Sequence, residues 1–220
     1  THSYMKYLYK YPQGEYPYQR LVEENRNRGG SGPEFELLDT GIFDHDRYFD
    51  VFVEYAKAGP DDICIRLEAF NRGPDAADLH LLPQLWFRNI WAWGDQRRRS
   101  PVITRGRDRD RCVALMADDS AADGLQNLPA EYKLGPRILY GEADAEALFT
   151  DNETNAVKLY GARADDGRVY VKDGFHRYVV NGEPAVNPEQ TGTKACLHYF
   201  RRIPAGASSV VRLRLSPREK

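Results

Sequence analysis

Apolar and polar residues alternate one by one along several stretches of this chain, which is the period of a strand with one buried face. The most apolar run is D-L-H-L-L-P-Q-L-W-F-R-N-I-W-A-W-G-D, from Asp78 to Asp95, and it holds all three tryptophans. Leu79, Leu81, Leu85 and Phe87 share one side of it, while His80, Gln84, Trp86 and Arg88 share the other. Pro83 interrupts the run and calls for a bulge or a local edge, because proline cannot donate to a ladder. The second half carries Trp91 and Trp93 on one face just before the turn residue Gly94, where a strand would be leaving the core.

The same period recurs on either side. Tyr7, Tyr9 and Tyr11 alternate in a tyrosine-rich strand ended by Pro12 and Gly14, and Tyr18 to Arg28 reads as a helix closed by a glycine cluster. Phe49, Val51, Val53 and Tyr55 form one face of a strand that turns at residues 58–61 into a partner with Ile63, Ile65, Leu67 and Ala69 on one face. A turn over Asn71-Arg72-Gly73-Pro74-Asp75 then leads into the tryptophan strand, which makes an antiparallel meander. Further strands are predicted at Arg111 to Asp118, Glu131 to Tyr140, Ala147 to Thr150, Val157 to Gly161 and Val169 to Lys172. Gly141 is among the separators between them. A single helical turn is predicted at Gly174 to Asn181. Two closing strands put Ala195, Leu197 and Tyr199, then Val211, Leu213 and Leu215, on inward faces. The pattern predicts an all-β fold, an antiparallel β-supersandwich with one or two short helices, in a single domain over residues 1–220. Its shared core is predicted to hold Phe49, Val51, Val53, Ile63, Ile65, Leu67, Leu85, Phe87, Leu197 and Leu213.

Composition narrows the classes of partner. A formal net charge of −2 over 220 residues offers no excess of positive charge to neutralise phosphates, so neither nucleic acid nor a membrane surface is expected as a partner. No apolar run is long enough to span a bilayer. Cys64, Cys112 and Cys196 lie far apart without C-x-x-C spacing and read as buried or half-buried thiols, neither disulfides nor metal ligands. This usage predicts a reducing, cytoplasmic setting. The chain opens at Thr1 with no secretory pattern and reads as a piece of something longer.

Candidate chemistry is sparse. The arginines at 97–99, 105, 107, 109 and 111 have no interleaved aromatic residue for base stacking and read as a solvated hairpin meeting an acidic partner surface. The carboxylate-rich turn at residues 118–124 lacks the alternating order of a calcium loop, so neither metal nor cofactor is expected. Asp44-His45-Asp46 is a cluster without a device to fix a pair or raise a pKa, and His176 with Arg177 has no partner motif.

The stretch D-T-G-I-F-D-H-D-R-Y-F-D-V-F-V-E-Y-A-K from Asp39 to Lys57, with N-R-G-P, L-H-L-L-P-Q-L-W-F-R-N-I-W-A-W-G and T-G-T-K-A-C-L-H-Y, resembles the amino-terminal β-sandwich domain of large bacterial glucosidase-like proteins related to glycoside hydrolase family 63, the processing α-glucosidase family. The resemblance implies a sandwich packed against an (α/α)6 barrel of the same polypeptide, with the barrel carrying an inverting acid and base. Those carboxylates have no matching positions here. The chain is therefore expected to be non-catalytic, buttressing the barrel and shaping its substrate entrance, with Trp91, Trp93, Arg88 and Asn89 contacting barrel or substrate. Two other classes fit the same residues. A free-standing carbohydrate-binding module would use the indoles for stacking, and a sugar epimerase would need a histidine and a carboxylate, His80 and His198 being the strand histidines, gathered on one concave sheet.

Overall fold

The computed structural model describes residues 2–92, 98–108, 111–123, 133–164 and 167–217. In chain order the regular elements are β1 (Tyr4–Pro12), α1 (Tyr18–Arg28), β2 (Tyr48–Gly59), β3 (Asp62–Asn71), β4 (Ala77–Leu81) and β5 (Gln84–Trp86). They continue as β6 (Val102–Arg105), β7 (Cys112–Asp118), β8 (Arg137–Glu142), β9 (Glu146–Thr150), α2 (Ala156–Tyr160), α3 (Gly174–Asn181), β10 (Thr191–Gly192), β11 (Lys194–Ile203) and β12 (Ser208–Ser216). The fold is all-β and antiparallel. One sheet has eight strands in the order β1-β2-β3-β12-β8-β7-β6-β10, and a second has the order β4-β11-β5 with β9 also on β11. Among the described residues there are three short α-helices.

The described residues gather into two compact units. In the first, residues 1–56, 65–79 and 200–211, the core is built by Phe49, Val53, Leu67, Ala69, Leu79, Ile203 and Val211, all buried. Phe49 and Val53 are two residues' multiples apart on β2, so the period-two pattern sends both inward. Helix α1 buries none of its residues. Asn25 ties it down, donating to the Phe35 carbonyl and accepting from the Phe35 amide.

In the second unit, residues 57–64, 80–199 and 212–220, the two sheets face each other. Leu197 and Tyr199 of β11 have no exposed surface. They meet β8 at Gly141, where a Cβ would lie 2.4 Å from Leu197 Cδ1 and from the Tyr199 hydroxyl oxygen. That hydroxyl accepts a hydrogen bond from the Glu142 amide at 3.0 Å. Beyond the paired register Arg214↔Tyr140 to Ser216↔Ile138, the Arg212 amide donates to the Glu142 carboxylate. On the other face of β11, helix α3 lays Phe175, Tyr178 and Val179 over Cys196 and Leu148.

Several expectations need correction. Residues 157–161 are not a strand: Asn155 accepts from the Lys158 amide, Gly161 ends the turn at φ 82°, and α2 results. Residues 169–172 form no regular element, although the Asp151 amide donates to Tyr170 O and the Lys172 amide to Glu153 O. Gly141 lies inside β8, not between strands. Of the predicted core, Val51, Ile63, Ile65, Leu85 and Phe87 are only half-buried. Cys64 is exposed because it shares the outward side of β3 with Arg66 and Glu68, whereas Cys112 is half-buried and Cys196 buried; all three are free thiols. No helix among the described residues is long and apolar enough to cross a membrane.

Candidate functional site

The second half of the tryptophan run is stitched to the loop after β9. Trp91 is buried, and its indole N–H donates to Glu153 Oε1 at 2.6 Å. Arg168 Nη1 lies 3.2 Å from the same oxygen, which balances a carboxylate that is itself buried. Asn89 is half-buried and donates to the Asn152 carbonyl, while Asn152 donates back to the Phe87 carbonyl. Trp91 and Asn89 are thus struts that hold two loops together. Trp91 offers no open ring face for a sugar or a barrel. Arg88 is exposed, and Trp93 lies outside the described residues.

Among the described residues of this segment the open indole is Trp86, 55% exposed on β5 and paired opposite Lys194. The alternation that turns Leu85 and Phe87 inward turns Trp86 outward. A cavity of about 210 Å³ beside Trp91 is lined by Phe87, Arg88, Ile90, Asp119 and Lys133 among others. It is smaller than the ~300–1,000 Å³ of typical ligand pockets. Two of its charges are committed to backbone: Asp119 accepts from the Leu134 and Gly135 amides, and Lys133 donates to the carbonyls of Asp119 and Ala122. The arginine-rich segment likewise finds acids of its own, Arg99 pairing with Asp123 and Arg105 with Asp108. Arg97 and Arg109 lie outside the described residues. Asp44-His45-Asp46 is an exposed single turn, and the Arg177 side chain is taken by Glu183 at 2.6 Å.

One acid–base constellation does form. His198 of β11 stands directly opposite Glu146 of β9 in the ladder, and cross-strand partners share a face. His198 Nδ1 lies 3.2 Å from Glu146 Oε2, and His198 Nε2 lies 2.8 Å from Nδ1 of His80 on β4. From α3 the Tyr178 hydroxyl donates to Glu146 Oε1 at 2.6 Å, which pushes the Tyr178 phenol above its ordinary pKa. The two imidazole planes are within 20° of parallel with centroids 5.1 Å apart. At a 2.8 Å nitrogen contact, rings reach that separation only edge to edge, with each facing nitrogen on the line between them. Such a contact holds one proton. In the tautomer in which His198 carries its proton on Nδ1, Glu146 accepts from it and His198 Nε2 accepts from His80 Nδ1–H. Tyr178, Glu146, His198 and His80 therefore form a continuous hydrogen-bonded chain on the outer face of the smaller sheet that reaches the exposed His80. It contains one carboxylate, and inverting glycoside hydrolysis needs two facing each other across a sugar.

The protein is thus an antiparallel β-sandwich bearing a His–His–Glu chain on one sheet. No protein-family model matches it. It is similar to the uncharacterized protein YMR196W of Saccharomyces cerevisiae, at 36% identity over 236 aligned residues that take in 98% of this chain and 22% of the yeast protein. The chain spans under a quarter of the length of the relative it matches.

Proposed function

We propose that this chain is a non-catalytic β-sandwich domain of a larger glycosidase-like protein related to glycoside hydrolase family 63, buttressing an (α/α)6 barrel of the same polypeptide and shaping its substrate entrance. The length relation carries the larger-protein part of the reading: nearly the whole chain aligns with 22% of the yeast relative, which leaves most of that protein's length outside the match. The three helices described here, of 11, 5 and 8 residues, are far too few for a twelve-helix barrel. Among the described residues of the tryptophan segment, the exposed Trp86 and Arg88 would be the ones to meet that barrel or its sugar. The three free thiols favour a reducing, cytoplasmic setting.

The test has two arms. The purified chain should hydrolyse no α-glucoside, α-mannoside or glucosylglycerate, and turnover that survives stringent purification overturns the reading. Trp86→Ala should weaken association with a separately expressed barrel while leaving the melting temperature of this chain unchanged.

A second reading is favoured by one observation, the gathering of His80, His198 and Glu146 on one sheet face. A sugar epimerase would use such a histidine and carboxylate as a base to take a proton from a sugar hydroxyl and an acid to return one to the ring oxygen. Polarimetry on fresh α-anomers decides it: faster mutarotation that His80→Ala abolishes would favour the epimerase over the buttress.

A further inference from the structure

Strand β1 is the end strand of the eight-stranded sheet, and its outer edge is that of a long, regular strand. Its nine residues pair with β2 in unbroken register from Tyr4↔Ala56 to Pro12↔Tyr48, with no bulge to twist the edge away. Tyr4, Met5, Tyr7, Leu8, Tyr9 and Tyr11 are each 45–53% exposed. Proteins ordinarily blunt such an edge with inward-pointing charges, bulges or lysines aimed outward. Here both lysines are turned back onto β2. Lys10 Nζ lies 2.7 Å from Asp50 and over the Tyr48 ring, and Lys6 Nζ lies 3.6 Å from Glu54 and over the Phe52 ring.

The order of residues along this edge says what it suits. K-Y-L-Y-K, from Lys6 to Lys10, reads the same in both directions about Leu8. An antiparallel copy laid against the edge with Leu8 on the two-fold axis sets Tyr7 opposite Tyr9, Met5 opposite Tyr11 and Leu8 opposite Leu8. Every pair then falls on a matching face, because side chains alternate with period two and a shift by one residue would cross the faces. Lys6 meets Lys10 in this register, which would be repulsive for bare charges. Each has a carboxylate beside it, Glu54 for Lys6 and Asp50, shared with Arg72, for Lys10, so the repulsion is reduced without being removed. A two-fold strand pairing is also self-complementary, as an isologous dimer contact must be.

We propose that β1 is a homodimerisation edge, with two copies of this chain pairing antiparallel through β1, centred on Leu8, to continue the sheet from one protomer into the other. The occupant is a second copy, because the edge matches its own reverse in side-chain type and in face. This holds whether or not the domain also rests on a barrel.

Sedimentation velocity on the 220-residue chain between about 1 and 300 µM should show a concentration-dependent dimer, as mass action requires. Tyr7→Lys with Tyr9→Lys places charge against unneutralised charge across the axis and should weaken the dimer about tenfold or more, with the circular dichroism and melting temperature kept. Register is read by cysteine. In a Cys64→Ser background, Leu8→Cys on the axis should oxidise to a covalent dimer at least about tenfold faster than Tyr4→Cys, whose opposite residue is Pro12. A chain that stays monomeric throughout the range overturns the proposal. So does a dimer that the double lysine variant leaves intact, or equal oxidation rates at positions 4 and 8.

Discussion

Asn71 has no exposed surface, yet its side chain makes four hydrogen bonds. Its amide donates to the carbonyls of Asp75 and Ile203, each at 2.8 Å, and its oxygen accepts from the Gly73 amide and the Gln13 side chain. The turn that leads out of β3 is tied by this one side chain to the end of β11. Asn71→Ala would strand the buried Gly73 amide and the buried Ile203 carbonyl, each of which costs about 1–3 kcal/mol when left unmade. Urea unfolding should show a loss of about 2–4 kcal/mol, given partial hydration of the gap. A loss under about 0.5 kcal/mol would mean water replaces the bonds without cost. The N-R-G-P motif announces a turn at this place. It does not announce the role of Asn71, because Ile203 lies 132 residues further along the chain. The tryptophans divide in the same way. Alternation with Leu85 and Phe87 is enough to turn Trp86 outward, whereas the burial of Trp91 depends on Glu153, 62 residues away, and no local period carries that information. The His80–His198 contact was legible only as two strand histidines, since the register between β4 and β11 sets their meeting.

At the scale of elements, the long strands and α1 follow the pattern closely because one face of each is either buried or plainly not. Strands β2, β3, β11 and β12 fall where alternation puts them, and Pro83 parts β4 from β5 as a residue without an N–H must. Short segments fare differently. Val157 and Leu159 alternate with polar neighbours as a strand would, but both are exposed, so no buried face enforces the period. The asparagine cap and Gly161 decide the conformation instead. Gly141 shows the opposite case, a residue that punctuates sequences yet serves inside a strand. Its missing Cβ lets Leu197 and Tyr199 come against β8, with Tyr199 taking the Glu142 N–H that the ladder does not. Gly141→Ala forces a methyl into space filled by two side chains that have no exposed surface, and overpacking of this kind costs about 1–3 kcal/mol. The melting temperature should fall, and Tyr199→Phe should add little on top, because the displaced hydroxyl has already lost its amide. Full additivity of the two substitutions would show that the contact is not shared.

Across the whole molecule, acid stability depends mainly on carboxylates that are better paired folded than unfolded. Asp50 is 5% exposed, and burial alone would push its pKa up. Hydrogen bonds from Lys10 and from Arg72 Nε, both at 2.7 Å, outweigh that and hold it below the ordinary value. Glu68 is held down first by Arg66, Asp108 by Arg105 and Glu183 by Asn181 and then Arg177. Asp151 runs the other way, raised by burial, and offsets a part of the sum. A carboxylate whose folded pKa is depressed binds fewer protons folded than unfolded. Its contribution is therefore complete above the unfolded pKa, near 4 for an aspartate, and is lost as the pH falls through the lower folded value. Stability should accordingly be level near neutrality and fall below about pH 4. Asp50→Asn isolates the most buried of these groups. At pH 7 the substitution removes a charge that two cations face and should lower the melting temperature clearly. As the pH falls through the depressed folded pKa and the native Asp50 takes up its proton, the same substitution should cost progressively less, so the curves of melting temperature against pH for the two proteins should converge on the acid side. Parallel curves would show that Asp50 holds its place by shape and hydrogen bonding alone, with its charge contributing nothing to the fold.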